Sequence, residues 1–121
     1  MSLESHNPLV LPNLVFITWY AGGLRAIDIS NPRFPHEVGY VFNQPVHEDL
    51  LTNVYPGRVP NKNTEIWMWT YPILKDGLLY VVDINSGLYV LQYNGPRREE
   101  VPQQGIVESN ANQIPAILPP R

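Results

Sequence analysis

The sequence contains no cysteine, so disulfides, thiolate nucleophiles and cysteine-ligated zinc or iron–sulfur sites are excluded, a lack that fits any compartment. Charge is sparse as well: 16% of the residues are Asp, Glu, Lys or Arg, and eight basic against eleven acidic side chains leave a net charge of −3. A protein that grips nucleic acid electrostatically needs a basic patch or stripe, and this balance argues against one. Apolar runs stop well short of the ~20 residues of a membrane-spanning helix. Met1 to His6 shows neither the basic nor the apolar stretch of a secretory signal. The expectation is a soluble chain with no membrane span and no nucleic-acid partner. A serine nucleophile elbow, a phosphate-binding loop and a dinucleotide fingerprint are all missing, so no catalytic residue and no cofactor are assigned.

Helical periodicity is missing too, and 13 prolines with eight glycines among 121 residues explain why. Proline breaks helix interiors and central strands, so such a chain is rich in turns. Its 44% hydrophobic and 11% aromatic content still suffices for one domain with a real core. The apolar density falls in Leu9–Ile29, Val38–Phe42 and Ile66–Tyr93, rich in Val, Ile, Tyr, Phe and Trp, which is the composition of strands. Leu14-Val15-Phe16-Ile17-Thr18-Trp19 is a continuous run, Leu24-Arg25-Ala26-Ile27-Asp28-Ile29 alternates, and Tyr20-Ala21-Gly22-Gly23 between them suits a hairpin. This pattern predicts strands over Leu14–Trp19, Leu24–Ile29, Leu78–Asp83 and Leu88–Tyr93, with Val15, Ile17, Ile27, Val81, Val90 and Leu91 largely buried.

An internal repeat organises these strands. Shifted by 64 residues, His6–Arg33 lies on Thr70–Arg97 without a gap, and six of the 28 pairs are identical: Pro8/Pro72, Leu14/Leu78, Gly23/Gly87, Leu24/Leu88, Pro32/Pro96 and Arg33/Arg97. The matches fall at strand starts and turns, so each unit reads as short strand, turn, strand, Gly hairpin, strand and Pro-containing exit turn. Glu37–Phe42 offers the first unit a fourth strand; Arg97–Pro102 is too charged to serve the second equally well. Four antiparallel strands per unit make a propeller blade, and blade repeats run ~40–50 residues. The longer spacing here is accounted for by Asn43–Glu65, a proline-bearing stretch without alternation that reads as a long surface loop.

Val15-Phe16-Ile17-Thr18-Trp19-Tyr20, Gly22-Gly23-Leu24-Arg25-Ala26-Ile27-Asp28-Ile29-Ser30-Asn31-Pro32 and Glu37-Val38-Gly39 resemble the blades of the LVIVD-repeat β-propeller proteins. Those blades read roughly as an apolar run, a glycine, Leu-Arg-Val-Val-Asp-Val-Ser-Asn-Pro and Glu-Val-Gly. Tyr71–Asp83 and Asn85–Leu91 are similar to the last blade of bacterial members, and the resemblance covers about His6 to Pro96. It implies an all-β chain of about two four-stranded antiparallel blades: residues 1–42 the first blade, 43–65 an insertion loop, 66–101 an incomplete last blade and 102–121 an irregular tail. It also implies that blades are missing, because a propeller ring takes at least four. Two open blades expose apolar faces and sheet edges, so the expected partners are the remaining blades of a longer propeller or further copies of the chain. Full-length members of this family resemble exported proteins, and the resemblance assigns no activity.

Candidate site residues follow from placement. His6 and Asn7, with Tyr71 as the repeat partner of Asn7, would start the innermost strands beside a central channel, where propellers commonly bind ligands. Trp19, Tyr20 and the Trp67-Met68-Trp69 stretch could form a ligand platform, since rings present broad apolar faces; packing between blades explains them equally well. His6 with His47, Glu48 and Asp49 offers imidazole and carboxylate ligands of a kind that suits divalent metals, but the spacing matches no ligand motif, and solvated loop residues are the simpler reading. Asp28 and Asp83 have the chemistry of catalytic carboxylates, yet Asp28 sits where a turn-capping role is expected. The functional expectation is a binding or scaffold module rather than an enzyme. Its alternative is part of a propeller enzyme, metal-dependent or not, with a site on the channel face near His6 and Tyr71.

Overall fold

The computed structural model describes residues 4–5, 7–42, 67–68, 70–84 and 86–107. The chain is all-β, with two four-stranded antiparallel sheets. The first sheet is a simple meander of β1 (Leu9–Val10), β2 (Leu14–Trp19), β3 (Gly23–Asp28) and β4 (His36–Val41). The second contains β5 (Ile73–Lys75), β6 (Leu78–Asp83), β7 (Gly87–Leu91) and β8 (Ile106–Val107), in the spatial order β7-β6-β5-β8. One 3-10 turn, Arg98–Glu100, follows β7. The insertion expected over residues 43–65 lies outside the described residues.

Local chemistry sets the turns. Asp76 and Gly77 both take positive φ, 49° and 81°, the conformation of a two-residue hairpin whose twist matches its strands. Gly23 (φ 77°) and Gly87 (φ 88°) close the β2–β3 and β6–β7 hairpins. They are repeat partners, and the registers agree as well. Trp19 faces Gly23 as Asp83 faces Gly87, Val15 faces Ile27 as Leu79 faces Leu91, and Leu9 faces Phe16 as Ile73 faces Tyr80. Each correspondence is a shift of 64 on both strands, so the two units share one hydrogen-bonding scheme through three strands.

The fourth strand breaks the equivalence. In the first sheet β4 pairs along β3, but the positions that would follow β7 form the 3-10 turn, whose Arg98-Glu99-Glu100 run supplies no apolar alternation. The second sheet instead gains β8 on its opposite edge, against β5. That strand comes from within 102–121, the stretch expected to be irregular.

The sheets pack face to face over one core. Leu9, Leu14, Phe16, Leu24 and Ala26 come from the first, Leu74, Leu79, Val81 and Val107 from the second, and Leu11, Met68 and Val101 from the connections. Burial in β2 falls on Leu14, Phe16 and Thr18, whereas in β6 it falls on Leu79, Val81 and Asp83. The inward phase is therefore opposite in the two units. Of the residues expected to be buried, Val81 is; Val15, Ile17, Ile27 and Leu91 are half-buried, and Val90 is 51% exposed. The expectation placed the core face of the first sheet one residue out of phase, because a continuous apolar run carries no alternation to fix it.

Candidate functional site

At the hairpin end of the sheets, Trp67, Met68 and Thr70 lace the two units together. Met68 N–H donates to the Tyr20 carbonyl (2.9 Å), Ile84 N–H to the Trp67 carbonyl (3.1 Å) and the Thr18 hydroxyl to the Thr70 carbonyl (2.6 Å). Trp67 is thereby brought over Tyr20, with ring centroids 5.8 Å apart and planes 27° from parallel. Trp19, Tyr20, Trp67 and Tyr71 are all half-buried, and Asn7 is exposed. Of the candidate platform, then, Tyr20 and Trp67 stack, and that stack is held by contacts that tie the sheets to each other. Trp67 belonged with Tyr20 in a way its position in a tryptophan-rich stretch signalled but did not specify. Trp69, His6, His47, Glu48 and Asp49 lie outside the described residues. Among the described residues no group of three or more His, Asp or Glu is placed to hold a metal.

The two aspartates have structural partners. Asp83 accepts hydrogen bonds from the backbone N–H of Trp67 and of Ser86, both at 3.0 Å. Asp28 accepts from Ser30 N–H at 2.8 Å, the expected turn cap, and its other oxygen pairs with Arg97 Nε at 3.0 Å. Arg97 also donates to Glu100 (2.9 Å), which accepts from the Asn13 side-chain amide (2.9 Å). This clasp joins the exit turn of the second unit to the end of β3 and the β1–β2 turn of the first. Hydrogen bonds from Ser30, and then the Arg97 guanidinium, hold the Asp28 carboxyl far below the usual carboxylate range. Asn13 and Arg97 lower Glu100 likewise, and the paired carboxylates raise Arg97. Sequence reading missed this network, though Arg33/Arg97 identity within the repeat was its one visible trace.

An open cleft of about 170 Å³ lies between β4 and the end of β7, lined by Val38, Tyr40, Val41, Leu91, Tyr93 and Asn94. The Phe16 and Tyr93 rings meet edge to face beside it, 5.1 Å between centroids. Ligand pockets generally run from ~300 Å³ upward, so this space is small for an organic cofactor. Among the described residues, it sits where no strand follows β7 in the second sheet.

The larger feature is on the outside. Opposite phasing leaves Leu78, Tyr80, Val82, Leu88 and Val90 on the outward face of the second sheet, with Val82 45%, Leu88 60% and Val90 51% exposed. On the first sheet Val15, Ile17 and Ile27 face outward and are half-buried. An ordinary half-solvated sheet alternates apolar inward with polar outward; here apolar side chains stand on the outward faces as well, joined on the first sheet by the Arg25–Glu37 ion pair (3.2 Å), whose residues lie opposite Ile17 and Ile27. No family model, curated protein or solved structure matches the chain.

Proposed function

We propose that this protein is a binding or scaffold module whose two sheets are consecutive blades of a propeller of the LVIVD-repeat kind, working by stacking its outward faces on further sheets. The observation that carries the reading is the phase inversion between units of identical register. If two equivalent sheets packed as mirror partners, they would bury the same face. They bury opposite faces, so each unit carries one surface for the unit before it and another for the unit after. Repeat units of this sort bury their faces only by stacking on neighbours. The chain offers apolar surface for assembly on both outer faces, and the carboxylates with the chemistry for catalysis, Asp28 and Asp83, are engaged in capping and clasping.

Charging the outward face of the second sheet tests this. Leu88→Lys with Val90→Lys replaces two exposed side chains and touches no core residue. The variant should keep its β-sheet circular dichroism and scatter light as a smaller particle than the unaltered chain. An unaltered chain already monodisperse as a monomer would count against the reading.

A further inference from the structure

The interface inside the chain is a template for one outside it. Under the 64-residue shift, the inward residues Leu14, Phe16 and Leu24 of the first sheet correspond to the outward Leu78, Tyr80 and Leu88 of the second. Conversely, the inward Leu79, Val81 and Leu91 correspond to the outward Val15, Ile17 and Ile27. At these positions the two outward faces reproduce, in kind and register, the two faces that already pack on each other; the first sheet departs at Arg25, paired with Glu37 at 3.2 Å, where the inward face of the second has Tyr89. The exit turn repeats in its arginine and its hydrogen bond, although Arg97 and not Arg33 takes positive φ. Arg33 is the repeat partner of Arg97, and both exit turns close with the same hydrogen bond, Phe34 N–H to Asn31 O (2.9 Å) and Arg98 N–H to Gly95 O (3.3 Å). Arg97 reaches the carboxylate at the end of β3, while Arg33 is exposed and its guanidinium has no partner among the described residues. The position equivalent to Asp28 on the second sheet is Gln92, also exposed.

We infer that copies of this chain stack head to tail, the outward face of the second sheet on one copy seating on the outward face of the first sheet on the next, with Arg33 of the latter donating to Gln92 of the former. This rests on the stacking reading above and adds the partner, a second copy, and the polarity of the contact. A head-to-tail contact uses two different patches, so it propagates into a ring where the rotation closes and a filament where it does not. The rim is poorer than the internal clasp, since an amide replaces Asp28 and His36 stands where Glu100 does. Association of the unaltered chain is correspondingly weak, and restoring the carboxylate strengthens it.

Sedimentation equilibrium on four forms of the full chain decides the matter: unaltered, Gln92→Asp, Arg33→Glu, and the two changes together. Both positions are exposed, so thermal melting at low concentration should confirm that all four fold. Gln92→Asp should tighten association about five-fold, the upper range for a single exposed ion pair, and lose that gain in 1 M salt. Arg33→Glu should weaken association, and the double variant, with like charges opposed, should be the weakest. Association that responds to Leu88→Lys but ignores Arg33 and Gln92 overturns the head-to-tail contact and leaves face stacking standing. A chain monomeric in every form overturns the second copy as occupant, in favour of a sheet from a different protein.

Discussion

Asp28 shows how one side chain can serve a turn and an interface together. Its residue is buried, yet both oxygens are occupied, one by the Ser30 amide and one by Arg97. A carboxylate so held stays ionised in the folded chain well below the pH at which it protonates in the unfolded chain, ordinarily near ~3.9. Glu100 is shifted in the same direction. With folded values depressed, the unfolded chain binds more protons as pH falls, so the stability these groups supply is complete above about pH 5 and is lost on acidification below about pH 4. Urea melts between pH 7 and pH 3 should show the loss, and Asp28→Asn should flatten the profile over its lower part while reducing stability at pH 7. An unchanged profile in that variant would show that the clasp does not hold the units together. Arg97 adds a second mark of the same network. It sits at φ 62°, left-handed for a residue with a side chain, a conformation that costs roughly 1–2 kcal/mol, and its bonds to Asp28 and Glu100 hold it there. Arg97→Gly should therefore lose the ion pairs but recover part of the backbone strain, and be milder than Asp28→Asn in a denaturant melt.

Between elements, the equivalent hairpins make a controlled comparison. Gly23 and Gly87 both have positive φ, but a Cβ on Gly23 would collide with the Val41 carbonyl, whereas one on Gly87 would meet nothing within 4 Å. The difference is β4, which runs along β3 and has no counterpart beside β7 among the described residues. Gly87→Ala should cost about 1 kcal/mol, the backbone strain alone. Gly23→Ala should cost at least ~3 kcal/mol, the range of changes that force a packed backbone to move. Equal losses in matched denaturant titrations would contradict the unpaired edge at β7. The same contrast shows what the sequence made legible. The 64-residue repeat placed three strands and both glycine turns of each unit, because turn residues answer to local backbone geometry. The charged run after Pro96 correctly argued against a strand there. What stayed hidden was tertiary. Leu14–Trp19 has no polar alternation to say which face turns inward, so the phase was misassigned. Ile106-Val107 is too short to stand out in a polar stretch, so the strand it forms on β5 was invisible. Of the candidate site, Tyr20 and its neighbouring tryptophans were visible as rings, but the Tyr20–Trp67 stack depends on residues 47 apart in sequence meeting at a hairpin end.

For the whole molecule, stability and assembly are one question. Two small sheets share a single core, with twelve buried apolar residues among those described, and a domain of ordinary size retains only ~5–15 kcal/mol of net stability. Burying apolar surface contributes about 25 cal/mol per Å², so covering a few hundred Å² of the outward faces would add a term comparable with that margin. Anything that binds the folded chain and not the unfolded one raises the melting temperature in proportion to the logarithm of its concentration. If the outward faces are assembly surfaces, the chain is its own ligand, and its melting temperature should climb as protein concentration is raised. Leu88→Lys with Val90→Lys should remove that dependence while leaving the melt at high dilution nearly unchanged, since neither side chain belongs to the internal core. Differential scanning calorimetry over a hundred-fold range of concentration separates the cases. A cooperative transition above ~65 °C, the upper end for ordinary mesophile domains, that does not move with concentration would mean that the two sheets are sufficient to each other. The exposed Val82, Leu88 and Val90 would then be a surface the chain tolerates rather than one it uses.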